Sequence, residues 1–391
     1  MHAEIVERLG DFRGRAPASD AERRAAVWLR DTLRARGRAA ELETVWVRPR
    51  WALSYALHAA LALVGTLVGA TASAGVGLGL LAVALVSLVG DLSGRLQLLR
   101  VLTPRRATQN VVSPAGPSST PKPARIVVLA GYDAPPRGLA VRRGPRRLAA
   151  RVEGLLGGHG PGPAGILLGS IAALTAIAAA RALGGGDWTK VASLPFATVL
   201  VVAIFALADL VPADPRDPGL GDASAVAVAL SLVAELARTP PRNLAVELVL
   251  TGAGHGPALG ARAWVRSQRK APRERTVVLN IAPSVAGAPY YWVREGAGVA
   301  FRYHAQLIAF CRRIAGEEPG LGVRGRVSRF ASGALPARLA RFPAITIGTA
   351  PAGDAGAPAE AAMRSVVELG LAITDLADEA VAGLADHDEG R

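Results

Sequence analysis

Leu248–Val265 reads LVLTGAGHGPALGARAWV. Apolar residues run to Thr251, small residues fill the next positions, and an Ala/Trp/Val pattern begins after Pro257. That order predicts a buried strand, Leu244–Thr251, a tight glycine turn, and a helix over Ala258–Lys270. The same alternation extends outward. Ser19-x-x-Glu22 reads as a capping box for a helix whose Ala25, Trp28, Leu29 and Leu33 share one face and which Gly37 ends. Glu41–Val47 and Ile126–Ala130 read as strands, Ser224–Arg238 as an apolar-faced helix, Val277–Ile281 and Ala344–Ile347 as further strands. Phe301–Ala315 and Ala359–Ala377 read as helices, with Pro358 placed to start the second. The expected class is α/β: a mostly parallel mixed sheet with helices on both faces, whose sites lie at the carboxyl ends of its strands.

Five blocks carry a more specific signal. In TGAGHGPALGARA the turn holds Gly254 and His255. RIVVLAGYD ends Arg125–Asp133 with Gly131 two residues before Asp133. PGLGDASAVAVA covers Pro218–Ala229, VVLNI covers Val277–Ile281 ahead of Ala282, and SGALPARLARFPAITIGT covers Ser332–Thr349. In order and spacing they resemble the zinc-dependent aminopeptidases of peptidase family twenty-eight, the aminopeptidase Y type. That family writes the blocks as G-A-E-E-x-G, G-x-H-Y-D, P-G-x-x-D-N-A-S-G, V-x-N-x-D and S-D-H-x-P-F. The resemblance implies a zinc-exopeptidase-like fold. It also implies two zinc ions bound by five ligand positions, with a glutamate as general base.

The residues at those positions depart from the pattern. The base position is Gly254 and the adjacent ligand position is His255. Gly131, Ala282 and Ala334 stand at further ligand positions, with Gly333 beside the last, and none offers a side-chain donor. One residue is missing from the Pro218 block, so either Gly221 or Asp222 occupies the bridging position. A paired-metal site needs anionic and imidazole ligands to lower the pKa of bound water, and no base remains to accept its proton. No zinc or other cofactor is therefore expected, and no catalytic residue is assigned. His255, Asp133 and Asp222 could together hold a single metal. The plainer reading makes the two Asp turn caps and His255 a surface imidazole. No G-x-S-x-G elbow occurs, and Ser224 and Ser332 read as cap and turn residues.

Trp51 to Gly90 contains no Asp, Glu, Lys or Arg. The run is long enough for two membrane helices, with Thr71-Ala72-Ser73 at the hairpin tip. Ala164–Ala180 and Val191–Val211 read as a second hairpin, joined through Gly184–Asp187, with Asp209 near the interface. Gly65-x-x-x-Gly69 matches a helix-packing motif but carries little weight in so Gly/Ala-rich a span. The division follows: 1–50, 93–140 and 213–385 belong to the peptidase-like domain, 51–92 and 164–212 are hairpins, 141–163 is a basic juxtamembrane segment and 386–391 a tail.

The net charge is +14, with arginine far outnumbering lysine. The arginines flank the apolar runs, at Arg48, Arg50, Arg95, Arg100, Arg105 and Arg106 and again over Arg142–Arg151. The side bearing them is expected to be cytoplasmic, facing anionic lipid headgroups. No nucleic-acid motif accompanies the charge, so none is expected as partner. Residues 1–50 are polar and charged, so no secretory signal is expected before the first span. The single Cys311 permits no internal disulfide. The expected function is a non-catalytic, multi-pass membrane homologue of a peptidase that binds or scaffolds an unknown protein or peptide. The alternatives are an enzyme remodelled around His255, Asp133 and Asp222, and a transport or lipid-interacting role.

Overall fold

The computed structural model describes residues 2–94, 96–116, 121–136, 138, 162–210, 220–296, 300–349 and 359–389. The basic segment Arg142–Arg151, together with Pro218, Gly219 and Pro358, lies outside the described residues.

A nine-stranded sheet organises one part of the chain, in the order β1-β2-β4-β3-β5-β9-β6-β7, with β8 paired to β6. The strands are β1 (Glu41–Val47), β2 (Arg106–Ser113), β3 (Ala124–Gly131), β4 (Leu244–Thr251), β5 (Thr276–Ile281), β6 (Pro289–Glu295), β7 (Phe301–Arg302), β8 (Arg324–Ser328) and β9 (Ala344–Thr349). The centre, β4-β3-β5-β9, is parallel. β1-β2, β2-β4, β6-β7 and β6-β9 are antiparallel, while β6-β8 is parallel. The sheet is therefore evenly mixed rather than mostly parallel. Antiparallel pairings flank the parallel centre on both sides, β1-β2-β4 at one edge and β9-β6-β7 at the other. β5 and β9 are buried at every position, as strands covered on both faces must be.

The helices of this part are α1 (His2–Asp11), α2 (Asp20–Ala35), α7 (Leu220–Arg238), α8 (Leu259–Ser267), α9 (Ala305–Glu317), α10 (Ala334–Leu339) and α11 (Glu360–Glu389). α1 and α11 pack on α7 and α9 packs on α11, while α8 packs on α10 and α2 on β2. Two boundaries stand out against the sequence reading. Phe301 and Arg302 pair with Glu295 and Arg294 as a strand, and the helix begins only after His304. α11 continues through the expected tail to Glu389. α1, β2, β6, β8 and α10 were not resolved from the pattern, being short or lacking a clean period.

Four helices form a second, separate apolar core: α3 (Trp51–Thr71), α4 (Ala74–Ser93), α5 (Pro163–Ala182) and α6 (Trp188–Ala208). Each is long and apolar enough to cross a membrane. They close a ring in which α3 touches α4 and α6, and α5 touches α4 and α6. Gly65 and Gly69 do pack the first hairpin, against the expectation. A Cβ on Gly77 would stand 2.4 Å from Gly69 Cα and 2.6 Å from Gly65 O. Backbones approach that closely only where neither carries a side chain.

The base of this hairpin is polar. Asp91 accepts from Arg100 Nε at 2.6 Å and Nη2 at 2.9 Å, and from Ser54 Oγ at 3.0 Å. Both charged side chains are 1 % exposed. One turn further in, His58 bridges Ser54 O at 2.6 Å and Ser87 Oγ at 2.9 Å. Asp209 follows the last residue of α6, as expected of a residue near the end of that span.

Candidate functional site

The parallel strands end side by side, and the residues just beyond them form the cleft. β3 runs out at Gly131, followed by Tyr132 and Asp133, and β4 at Thr251, followed by the turn 252–258. Gly131 pairs with Thr251, so both chain ends lie at one level. The residues flanking Asp133 are pinned. Tyr132 donates its hydroxyl to Gln109 O at 2.6 Å and accepts at its carbonyl from Arg15 Nε at 3.0 Å, while Ala134 N donates to Arg15 O at 2.7 Å.

Asp133, fully buried, accepts the backbone amides of Gly254 at 2.8 Å and His255 at 3.0 Å. It thus caps a turn, as expected, but the turn belongs to the neighbouring strand. Its Oδ2 also meets His255 Nδ1 at 3.1 Å. On the other side of the ring, Nε2 meets Asp222 Oδ1 at 3.2 Å, from the first turn of α7. Asp222 is therefore a residue of its block whose side chain meets His255. His255 is no surface imidazole: it is 26 % exposed and clamped between two carboxylates. Burial opposes its charge, but Asp222 and then Asp133 prevail and raise the imidazole well above its ordinary pKa. An imidazolium donates from both nitrogens and keeps no lone pair.

Glu22 extends the constellation beneath Asp133, and sequence reasoning misplaced it. Ser19 Oγ does accept from Glu22 N at 3.1 Å, as an N-cap. The Glu22 carboxylate does not return to Ser19. It accepts from Ala18 N at 2.8 Å, Ala253 N at 2.7 Å and Thr108 Oγ1 at 2.7 Å, tying α2 to β2 and to the turn. Burial, reinforced by the Asp133 charge, pushes its carboxyl up to about 8. The turn it supports holds Ala253 and Ala258 at φ of 48° and 50°, left-handed values that side-chain-bearing residues adopt only when held there.

The remaining expected positions gather on a different cluster. Gly333 and Ala334 open α10 beside Asn280 and Leu129, and Ala282 follows β5 with its amide on Ile347 O at 2.8 Å. Ser332 is more than a turn residue. Its Oγ donates to Glu295 Oε2 at 2.8 Å and meets Thr346 Oγ1 at 2.9 Å, and Tyr303 also donates to Glu295. Burial pushes the Glu295 carboxyl up to about 7. Ser224 Oγ accepts Ser284 N at 2.7 Å, joining α7 to the end of β5. Neither Glu295 nor Tyr303 lies in a motif; only their distance along the chain from Ser332 and Thr346 hid the cluster.

The donor set does not fit the paired zinc that the family resemblance implies. Among the described residues no group of three or more His, Cys, Asp and Glu is arranged to hold a metal. Both His255 nitrogens face carboxylates, and Ala282 and Ala334 carry no donor. Neighbouring side chains have also closed over two positions. A Cβ on Gly254 would stand 2.7 Å from Asp133 Oδ1, and one on Gly333 would stand 2.2 Å from Leu129 Cδ2 and 2.5 Å from Asn280 Oδ1. Gly131 retains ordinary room for a Cβ, 3.6 Å from Asp133 Oδ1. No step through zinc is derived for this cleft.

No protein-family model and no curated protein matches the chain. Among solved structures it aligns with a leucine aminopeptidase precursor from Bacteroides thetaiotaomicron, at 12% identity over 96% of this chain and 95% of that one, with a TM-score of 0.48. A glutaminyl cyclase from the same organism, bound to N-acetylhistamine, aligns at 12% identity over 96% of each chain, with a TM-score of 0.48. A glutaminyl cyclase from Tannerella forsythia aligns at 11% identity over 96% of each chain, with a TM-score of 0.49.

Proposed function

We propose that this chain is a multi-pass membrane protein whose peptidase-like domain binds or scaffolds a protein or peptide partner without catalysing hydrolysis. The observation that carries the reading is the Asp133–His255–Asp222 clamp. An imidazolium between two carboxylates supplies internally the positive charge that such a carboxylate pair would otherwise draw from a cation. It leaves no nitrogen free to ligate or to take a proton from water. The four apolar helices support the membrane part of the reading, and the arginines around the first hairpin favour a cytoplasmic, anionic-lipid-facing domain.

An enzyme remodelled around the same three residues is the second reading, favoured by their convergence at one point. The two separate in one experiment: elemental analysis of detergent-purified protein, paired with an aminopeptidase assay in added zinc. The binding reading expects neither stoichiometric zinc nor turnover. Bound zinc with turnover that His255→Ala abolishes would overturn it. Ala334→His is expected to restore no activity, because Gly254 and the other emptied positions remain.

A further inference from the structure

The turn that leaves α4 is inside out for water. In the segment around the 3-10 turn Leu99–Leu102, Arg100 is 1 % exposed, whereas Leu96, Leu98, Val101 and Leu102 are 41 %, 47 %, 56 % and 70 % exposed. The polar groups point inward. Arg100 grips Asp91 and donates to Arg48 O at 3.0 Å, and Thr103 returns its hydroxyl to Arg100 O at 2.8 Å. The amides of Leu96, Leu99, Val101 and Thr103 are all bonded internally, to Gly90 O, Ser87 Oγ, Gln97 O and Arg100 O. A turn in water buries its leucines and solvates its arginine; a turn in lipid does the reverse and satisfies its own backbone.

The neighbouring surface continues the pattern. Trp46, on the edge strand β1, is 59 % exposed, with the Arg105 guanidinium 5.8 Å from its ring centroid. Arg50 and Arg106, like Arg105, are exposed. The whole patch sits where α3 begins and α4 ends, at the mouth of the first hairpin.

We infer that Leu96, Leu98, Val101, Leu102 and Trp46 insert into the headgroup–acyl boundary of the bilayer that α3 and α4 cross, with Arg50, Arg105 and Arg106 against anionic headgroups. Aliphatic residues at the acyl edge, an indole at the interface and guanidinium groups above it match the layering of that boundary. The inference rests on the membrane reading given above and adds to it a second, shallow attachment. The four apolar helices anchor the chain, and this patch sets the domain's surface against the headgroups. Arg262 of α8 donates to Leu92 O at 2.9 Å, so the cleft turn is held to the same base.

The test uses the full chain reconstituted in nanodiscs of phosphatidylcholine and phosphatidylglycerol. Leu98→Cys, Val101→Cys and Leu102→Cys are labelled singly with an environment-sensitive fluorophore, with wild type as the blank, since Cys311 is fully buried. Arg324→Cys, exposed on β8, reports water, and Val202→Cys, exposed on α6, reports the span. Lipid spin-labelled near the headgroup is expected to quench the three turn probes about twofold or more and to leave the Arg324 position unchanged. Unquenched turn probes beside a quenched Val202 position would overturn the inference and leave the membrane reading standing. Turn probes shielded from water yet unquenched would overturn it in favour of a protein face such as a second copy. An unquenched Val202 position would remove both readings together.

Discussion

Trp51, the first residue of the first apolar helix, lies against Gly256 in the cleft turn, its Cδ1 2.5 Å from where a Cβ on that glycine would stand. Gly256 also has φ of +80°, which only glycine adopts without strain. The helix bundle and the cleft are therefore in contact one residue away from His255.

Gly256→Ala is expected to destabilise the protein by about 2–4 kcal/mol, combining left-handed strain with the clash. In the Trp51→Ala background the clash is gone and only about 1–2 kcal/mol should remain. Thermal unfolding of both single variants and the double in detergent checks this. Strict additivity would show that the two residues do not touch.

His255 gives a pH-dependent prediction. Its pKa is raised in the folded state, so its contribution is fully present below the unfolded value near 6.5 and is lost as pH rises through the raised value. His255→Gln, which leaves buried Asp133 without its imidazole, is expected to cost about 3 kcal/mol at acid to neutral pH. That loss should shrink at alkaline pH. A difference from wild type that stays constant with pH would contradict the clamp.

Glu22 titrates in the same sense for another reason. Its carboxyl is raised to about 8, so the native state holds a proton that the unfolded chain releases near 4.5. The native state binds more protons across that window, and stability falls as pH rises through it, by about 1.4 kcal/mol per pH unit for one group. Glu22→Gln should remove this slope from a urea-midpoint-against-pH profile. An unchanged slope would assign it elsewhere.

Asp91 and Arg100 are expected to behave as a buried pair. Asp91→Leu or Arg100→Met alone should cost about 3–5 kcal/mol, because each leaves an uncompensated buried charge. The double substitution should cost markedly less than the sum. Unfolding in detergent reads all three.

The capping box shows how far local pattern reaches. Ser19 caps the amide of Glu22 as its spacing demands, because an N-cap is settled within one turn of helix. The destination of the Glu22 carboxylate depends on Thr108 and Ala253, remote along the chain, and no local rule could supply it. The Gly65/Gly69 motif is the reverse case. It was visible but ambiguous until Gly77 was seen to occupy the groove. His58 was the one histidine of the uncharged run and Asp91 the first charge after it, so both were open to notice. Their pairing with Ser87 and Arg100 was not.

The sequence by itself determined the strand–turn–helix frame, the four apolar helices and the loss of donors at Gly131, Gly254, Ala282 and Ala334. Each of these is a matter of local period or of residue identity. The tertiary structure alone decided that the sheet is evenly mixed and that Asp222 meets His255. It alone decided that His255 is clamped between two carboxylates and that the leucines after α4 point outward. These outcomes depend on which distant groups share a low-dielectric space. Pairing energy, desolvation and steric closure there are set by neighbours in space, and the order of residues along the chain does not record them.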